Sequence, residues 1–112
     1  MSKFRRVICK SGFSMSVQAS ERNYNSPRNN TGPWVSVEVG FPSHEEPLLM
    51  PFAEDKSDPT RTVYGWVDVA VVQGVIVKHG GITEGRHPAF LFDARQSLML
   101  AEILMEIKNE SR

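Results

Sequence analysis

The side chains able to do covalent or metal chemistry are few: one thiol, Cys9, and three imidazoles, His44, His79 and His87. A cysteine nucleophile needs a base beside it. Cys9 instead sits in a β-prone run, where a small buried residue is expected and substitution should be tolerated. A zinc site needs histidines or cysteines at close paired spacing, which these histidines lack. With one cysteine, no internal disulfide can form. No GxSxG, HExxH, P-loop or GxGxxG motif occurs. His79-Gly80-Gly81 reads as a helix stop with a favourable C-terminal charge, because no Lys-Ser/Thr follows to cradle phosphate. The expectation is a non-enzymatic protein without metal or cofactor. An enzyme built on His44, His79 or His87 has no positive sign in the sequence.

Residues suited to recognition are better represented. The stretch Glu21–Pro33, ERNYNSPRNNTGP, has four asparagines, two arginines and a tyrosine, with no apolar periodicity. Long loops without regular structure tend to be functional or disordered. Arg22, Tyr24 and Arg28 combine aromatic area, a hydroxyl and guanidinium forks, as in binding hot spots. Pro27 restricts the chain just before Arg28. Two acidic turns, Ser43–Pro47 and Glu54–Asp58, add Glu45, Glu46, Glu54 and Asp55 as a second candidate set.

Charge is balanced overall, with 13 basic and 13 acidic residues, yet it is unevenly placed. Residues 1–28 sum to +5 and residues 38–58 to −5. Such a division can steer a charged partner. Equally, the two segments can neighbour and neutralise each other. A nucleic-acid reading would use Arg5, Arg6, Lys10, Arg22 and Arg28 on phosphates, with Tyr24 stacking on a base. The zero net charge counts against it.

The elements that must hold these residues follow from periodicity. Phe13, Met15, Val17 and Ala19 alternate with polar residues, as do Val35, Val37, Val39 and Phe41, giving two half-buried strands. Phe4–Lys10 pairs with the first of them across Ser11-Gly12, making Phe4–Ser20 a hairpin. Leu48–Ala53, broken by Pro51, reads as an edge strand or extended segment. Thr62–Trp66 reads as another short strand. Val67–His79 is ambiguous: its valines favour a strand, while its length, Asp68 as N-cap and the glycine stop favour a helix, and a helix is expected. Asp93 with Gln96 forms a capping box opening a helix over Asp93–Asn109. The fold class is therefore α+β, a single domain over 1–112: an antiparallel sheet meander with two helices packed on one face.

The last helix is apolar around more of its circumference than packing on one sheet requires. Either two sides are buried within the chain, or a second copy covers the excess through Leu100, Leu104 and Met105, giving a homodimer. The chain of 112 residues has ordinary globular composition, 40% hydrophobic and 23% charged. No apolar run spans a membrane. No secretory signal is visible, so a cytoplasmic location is expected.

As a set, "GFSMSVQAS", "VSVEVGFPS", "PLLMPFAED", "TVYGWV" and "KHGG" resemble small accessory proteins of bacteriophages and prophages, over about residues 11–81. The resemblance brings no catalytic motif. It implies host-cell cytoplasm as the setting and, as function, binding and blocking of a host protein or complex, host defence systems of the CRISPR type included.

Overall fold

The computed structural model describes residues 4–110. Five strands form one antiparallel sheet, β1 (Val7–Cys9), β2 (Ser14–Gln18), β3 (Ser36–Gly40), β4 (Val63–Asp68) and β5 (Ile82–Glu84), in the order β4-β3-β2-β1-β5. Two helices, α1 (Val69–Lys78) and α2 (Ala94–Glu110), complete the α+β fold. The first four strands are a meander, as the alternation requires. Val7 faces Met15, Val17 faces Val39, and Val37 faces Val67.

Those pairings put every inward position of the meander in one cluster. Val7, Met15, Val17, Val37, Val39, Tyr64 and Val67 are all fully buried there. At the β1–β2 turn the Cys9 amide donates to Phe13 O and the Gly12 amide to Cys9 O. Cys9 itself is buried, and burial raises its thiol pKa above the ordinary value. That keeps it protonated and unreactive.

The ambiguous stretch resolves into both alternatives in sequence. β4 runs on through Asp68, and the helix begins at Val69. α1 is buried over most of its circumference, from Val69 to Ile76, so its valines are core residues of a helix. Asp68 stands at the N-cap position, but its carboxylate caps nothing in α1. Gln96, buried on α2, does so from outside: its Oε1 accepts from the Ala70 amide and its Nε2 donates to Asp68 Oδ1. Half of the expected capping box therefore forms, with the Gln96 amide donating to Asp93 Oδ1 at 2.8 Å. The Gln96 side chain bridges the two helices instead.

The segment 48–53 corrects the expectation of a strand. It is a turn followed by a 3-10 turn, Met50–Phe52, with Pro51 in its first turn. There the missing proline N–H costs nothing. Only Ala53 pairs with a strand, as an isolated bridge to Tyr64. β5 had no signal in the sequence, because all three of its residues are exposed.

A candidate partner-binding face

The outer face of the sheet is organised around Trp66. Val37 pairs with Val67 and Val39 with Tyr64, so β4 carries an extra residue between them. Both Tyr64 and Val67 thereby turn inward, and Trp66 is left outside, 51% exposed, with φ +49°. Bulges re-aim side chains in this way, often beside functional sites. A left-handed φ on a bulky residue costs of order 1–2 kcal/mol and persists only where the surroundings impose it. Phe41, just after β3, is also exposed with φ +49°.

Tyr24 of the 21–33 loop stacks on Trp66, ring centroids 5.0 Å apart. The approach is close because Gly65 lies beneath: a Cβ there would sit 3.3 Å from Tyr24 Cβ. Three hydrogen bonds fix it. The Trp66 amide donates to Tyr24 O, the Tyr24 amide donates to Glu38 Oε1, and Asn23 Nδ2 donates to Glu38 Oε2. Arg28 extends over the Tyr24 ring at 6.0 Å. The result is a Trp–Tyr–Arg ledge, open to solvent on a sheet scaffold.

The loop that supplies Tyr24 and Arg28 is built rather than floppy. Asn25 is buried, accepting from the Ser20 amide and donating to Ser20 O and Pro27 O. Asn29 Oδ1 accepts from the Thr31 and Gly32 amides, and Asn30 Oδ1 from the Glu21 amide. Ser26 bridges to Ser36 of β3. Asparagines therefore close the turns, and the arginines and tyrosine are what the loop presents. Arg22 is exposed on it.

The acidic candidates separate. Glu45, Glu54 and Asp55 are exposed. Asp55 accepts from the Ser57 hydroxyl and amide, and these bonds lower its pKa. Glu46 is not a surface residue. It is 2% exposed, and its carboxylate meets Lys78 Nζ at 3.0 Å and His79 Nε2 at 2.8 Å, with the Leu48 amide donating to Oε2. Burial pushes the Glu46 carboxyl up, but the bonds from Leu48, His79 and Lys78 outweigh it and hold the group below its ordinary value.

His79 Nδ1 in turn meets the exposed Ser11 Oγ at 2.9 Å, with Phe13 stacked on the imidazole at 4.4 Å. Ser11, His79 and Glu46 thus line up in the order of a hydrolase relay. The amides around Ser11 are all spent: Lys10 on Gly81 O, Ser11 on His79 O, Gly12 on Cys9 O, and Phe13 on Ser11 Oγ. No backbone amide of residues 10–13 is left free for an oxyanion. The network is a clamp between the β1–β2 turn, the 43–48 segment and the end of α1.

His44 bonds Ser43 and His87 stacks on Phe90. Among the described residues no three His, Cys, Asp or Glu side chains group to hold a metal, and no helix is long and apolar enough to cross a membrane. A groove of about 270 Å³ lies between Pro47, Leu48, Lys78, Glu106, Ile107 and Glu110. It falls below the usual range of small-ligand sites, roughly 300–1,000 Å³.

The basic candidates are scattered. Arg5, Arg6 and Lys10 are exposed. Arg6 is held to Ser14 and Phe41 O. Among the described residues the ion pairs join Glu46 to Lys78 and His79, and Asp68 to Arg95; none links the basic segment to the acidic one. Of the helix candidates, Leu100 packs on the core, Leu104 is half-buried and Met105 is exposed. The chain matches no family model, no curated protein and no solved structure.

Proposed function

We propose that this protein is a non-enzymatic binding protein that occupies the surface of a host macromolecule with the Trp66–Tyr24–Arg28 ledge. The observation that carries the reading is the backbone cost accepted at Trp66, with φ +49°, to hold an exposed indole against Tyr24. Exposed tryptophan, tyrosine and arginine on a rigid scaffold are the composition of interface hot spots. The resemblance to phage accessory proteins makes a host protein or complex the partner, a CRISPR-type defence complex being one such target, in host cytoplasm. Arg22 and the exposed Glu45, Glu54 and Asp55 then serve as outer contacts that set charge complementarity.

A second reading has its own support. A stacked indole and phenol flanked by Arg28 is also a platform for bases of a single strand, with Arg5, Arg6, Lys10 and Arg22 for phosphates. One experiment separates the two. Host proteins captured by the wild type are compared with those captured by Trp66→Ala and by Tyr24→Ala with Arg28→Ala. Loss of one specific protein in both variants supports the first reading. Salt-sensitive binding of random oligonucleotides, lost in the same variants, replaces it with the second. An unchanged capture profile removes the ledge from the function.

A further inference from the structure

The helix α2 has two apolar faces, and the chain covers one of them. Gln96 and Ile103 are buried, and Leu100 and Ile107 pack on the core. They form the inner stripe. On the opposite side Ala94, Leu98, Ala101 and Met105 are exposed, Leu98 to 65% and Met105 to 61%. Their spacing is four, three and four residues. That is the spacing of a helix–helix seam, not of a solvated surface.

The seam alternates small and large: Ala94, Leu98, Ala101, Met105. In an antiparallel pair related by a two-fold axis, each large residue meets a small one. Leu98 of one copy lies against Ala101 of the other, and Met105 against Ala94. Beside the seam, on a single flank, stand Arg95 and Glu102, both exposed. Arg95 reaches Asp68 within its own chain at 3.2 Å and is otherwise open to solvent; in that same register it also comes next to Glu102 of the other copy, so opposite charges meet twice. Flanking charges of this kind set partner and orientation in helix pairs. A parallel arrangement would set Leu98 against Leu98 and give neither charge an opposite partner.

We propose that a second copy of this chain docks antiparallel on the outer face of α2, through the Ala94–Leu98–Ala101–Met105 seam and reciprocal Arg95–Glu102 pairs. This surface shares no residue with the ledge of Trp66, Tyr24 and Arg28. It also moves the interface off Leu100, which faces the core. Leu104 flanks the seam on the side away from Arg95.

The test is sedimentation equilibrium on the full chain from roughly 1 to 100 μM, the range of a modest dimer. The wild type should dimerise. Leu98→Glu, which alters an exposed side chain, should be monomeric with an unchanged far-ultraviolet spectrum. Arg95→Glu and Glu102→Arg should each weaken association at least tenfold, and the two together should restore it to within a few-fold of the wild type. Buried Cys9 leaves engineered cysteines unambiguous. Leu98→Cys mixed with Ala101→Cys should form a disulfide-linked dimer, while Leu98→Cys alone should not. A monomeric wild type overturns the proposal. A dimer indifferent to Leu98→Glu, a charge swap that fails to restore association, or a Leu98→Cys homodimer overturns it as well.

Discussion

Trp66 and Phe41 hold the same uncommon backbone angle, and both show their rings to solvent. Each still buries about half of its surface, which offsets the backbone cost in part; the exposed half is what is left for a partner. A glycine at either position relieves the strain, of order 1 kcal/mol. At Trp66 it also loses the Tyr24 stack, worth about 0.5–1.5 kcal/mol. The buried half of the indole and the added freedom of glycine in the unfolded chain count on the same side as the stack. Trp66→Gly should therefore lower the midpoint of thermal unfolding modestly, by about 1–2 kcal/mol of stability, while weakening partner binding by roughly 2 kcal/mol or more. Phe41→Gly, which has no Tyr24 stack to lose, should lower the midpoint less. Calorimetry beside a binding isotherm checks both, and a large loss of stability in Trp66→Gly would make the stack structural. Trp66 and Glu38 were not visible as site residues in the sequence. Period-two alternation puts Trp66 on the same face as Tyr64, and only the bulge moves it outside. Gly65 was the available sign, since a glycine within a strand marks bulges and close approaches. Tyr24 and Arg28 could be named as candidates because their neighbours had no apolar rhythm to serve, and the structure leaves both exposed.

Among the elements, the two helices show where local patterns suffice and where they do not. Asp93 announced the start of α2, and it caps as expected. Asp68 marked the start of α1 and stands at its N-cap position, but the bond to the Ala70 amide comes from a residue 26 positions away, which no local pattern shows. Gln96→Ala should remove the bond to the Ala70 amide and the one to Asp68, destabilising by about 1–2 kcal/mol. Gln96→Glu should also cost stability, because it sets a carboxylate against Asp68; urea unfolding measures both. The contact between the helices is made by absence. A Cβ on Gly74 would lie 2.5 Å from Ile103 Cγ2. Read from sequence, Gly74 only weakened a helix by about 1 kcal/mol; in the fold it lets α2 approach. Gly74→Ala gains that propensity but drives into a stiff β-branched side chain, for a net loss of about 1–3 kcal/mol. Ile103→Leu carries no Cγ2, so combining it with Gly74→Ala should recover much of the loss. Additivity of the two changes in a double-mutant cycle would show that the helices do not meet there.

Across the whole molecule, the meander and its core could be read from alternation, since each strand has one dry face. The long-range polar ties could not. Glu46 looked like one acid in a solvated turn, and it is the buried centre of a network reaching Lys78, His79 and, through His79, Ser11. Charge runs report composition, whereas which carboxylate goes inside depends on where α1 ends. The network gives the molecule a pH dependence with a definite sign. The folded-state pKa of Glu46 is lowered, so the unfolded chain takes up its proton first as pH falls. The stabilisation is complete above the ordinary carboxylate value, about 4.3. It is lost as pH drops through the lower folded value. Glu46→Gln should remove this component. It leaves Lys78 and His79 facing a neutral amide, at a cost of about 1–3 kcal/mol near pH 7, Lys78 being partly solvated. Between pH 7 and the acid limit its unfolding free energy should fall less steeply than that of the wild type, the two curves converging below about pH 4. Urea titrations at several pH values test this. Parallel curves would mean that Glu46 is no better bound in the folded chain than in the unfolded one, and the clamp between the β1–β2 turn and the end of α1 would have to rest on the Lys10 and Ser11 amides bonded to Gly81 O and His79 O, the Ser11–His79 bond and the stacking of Phe13 on His79.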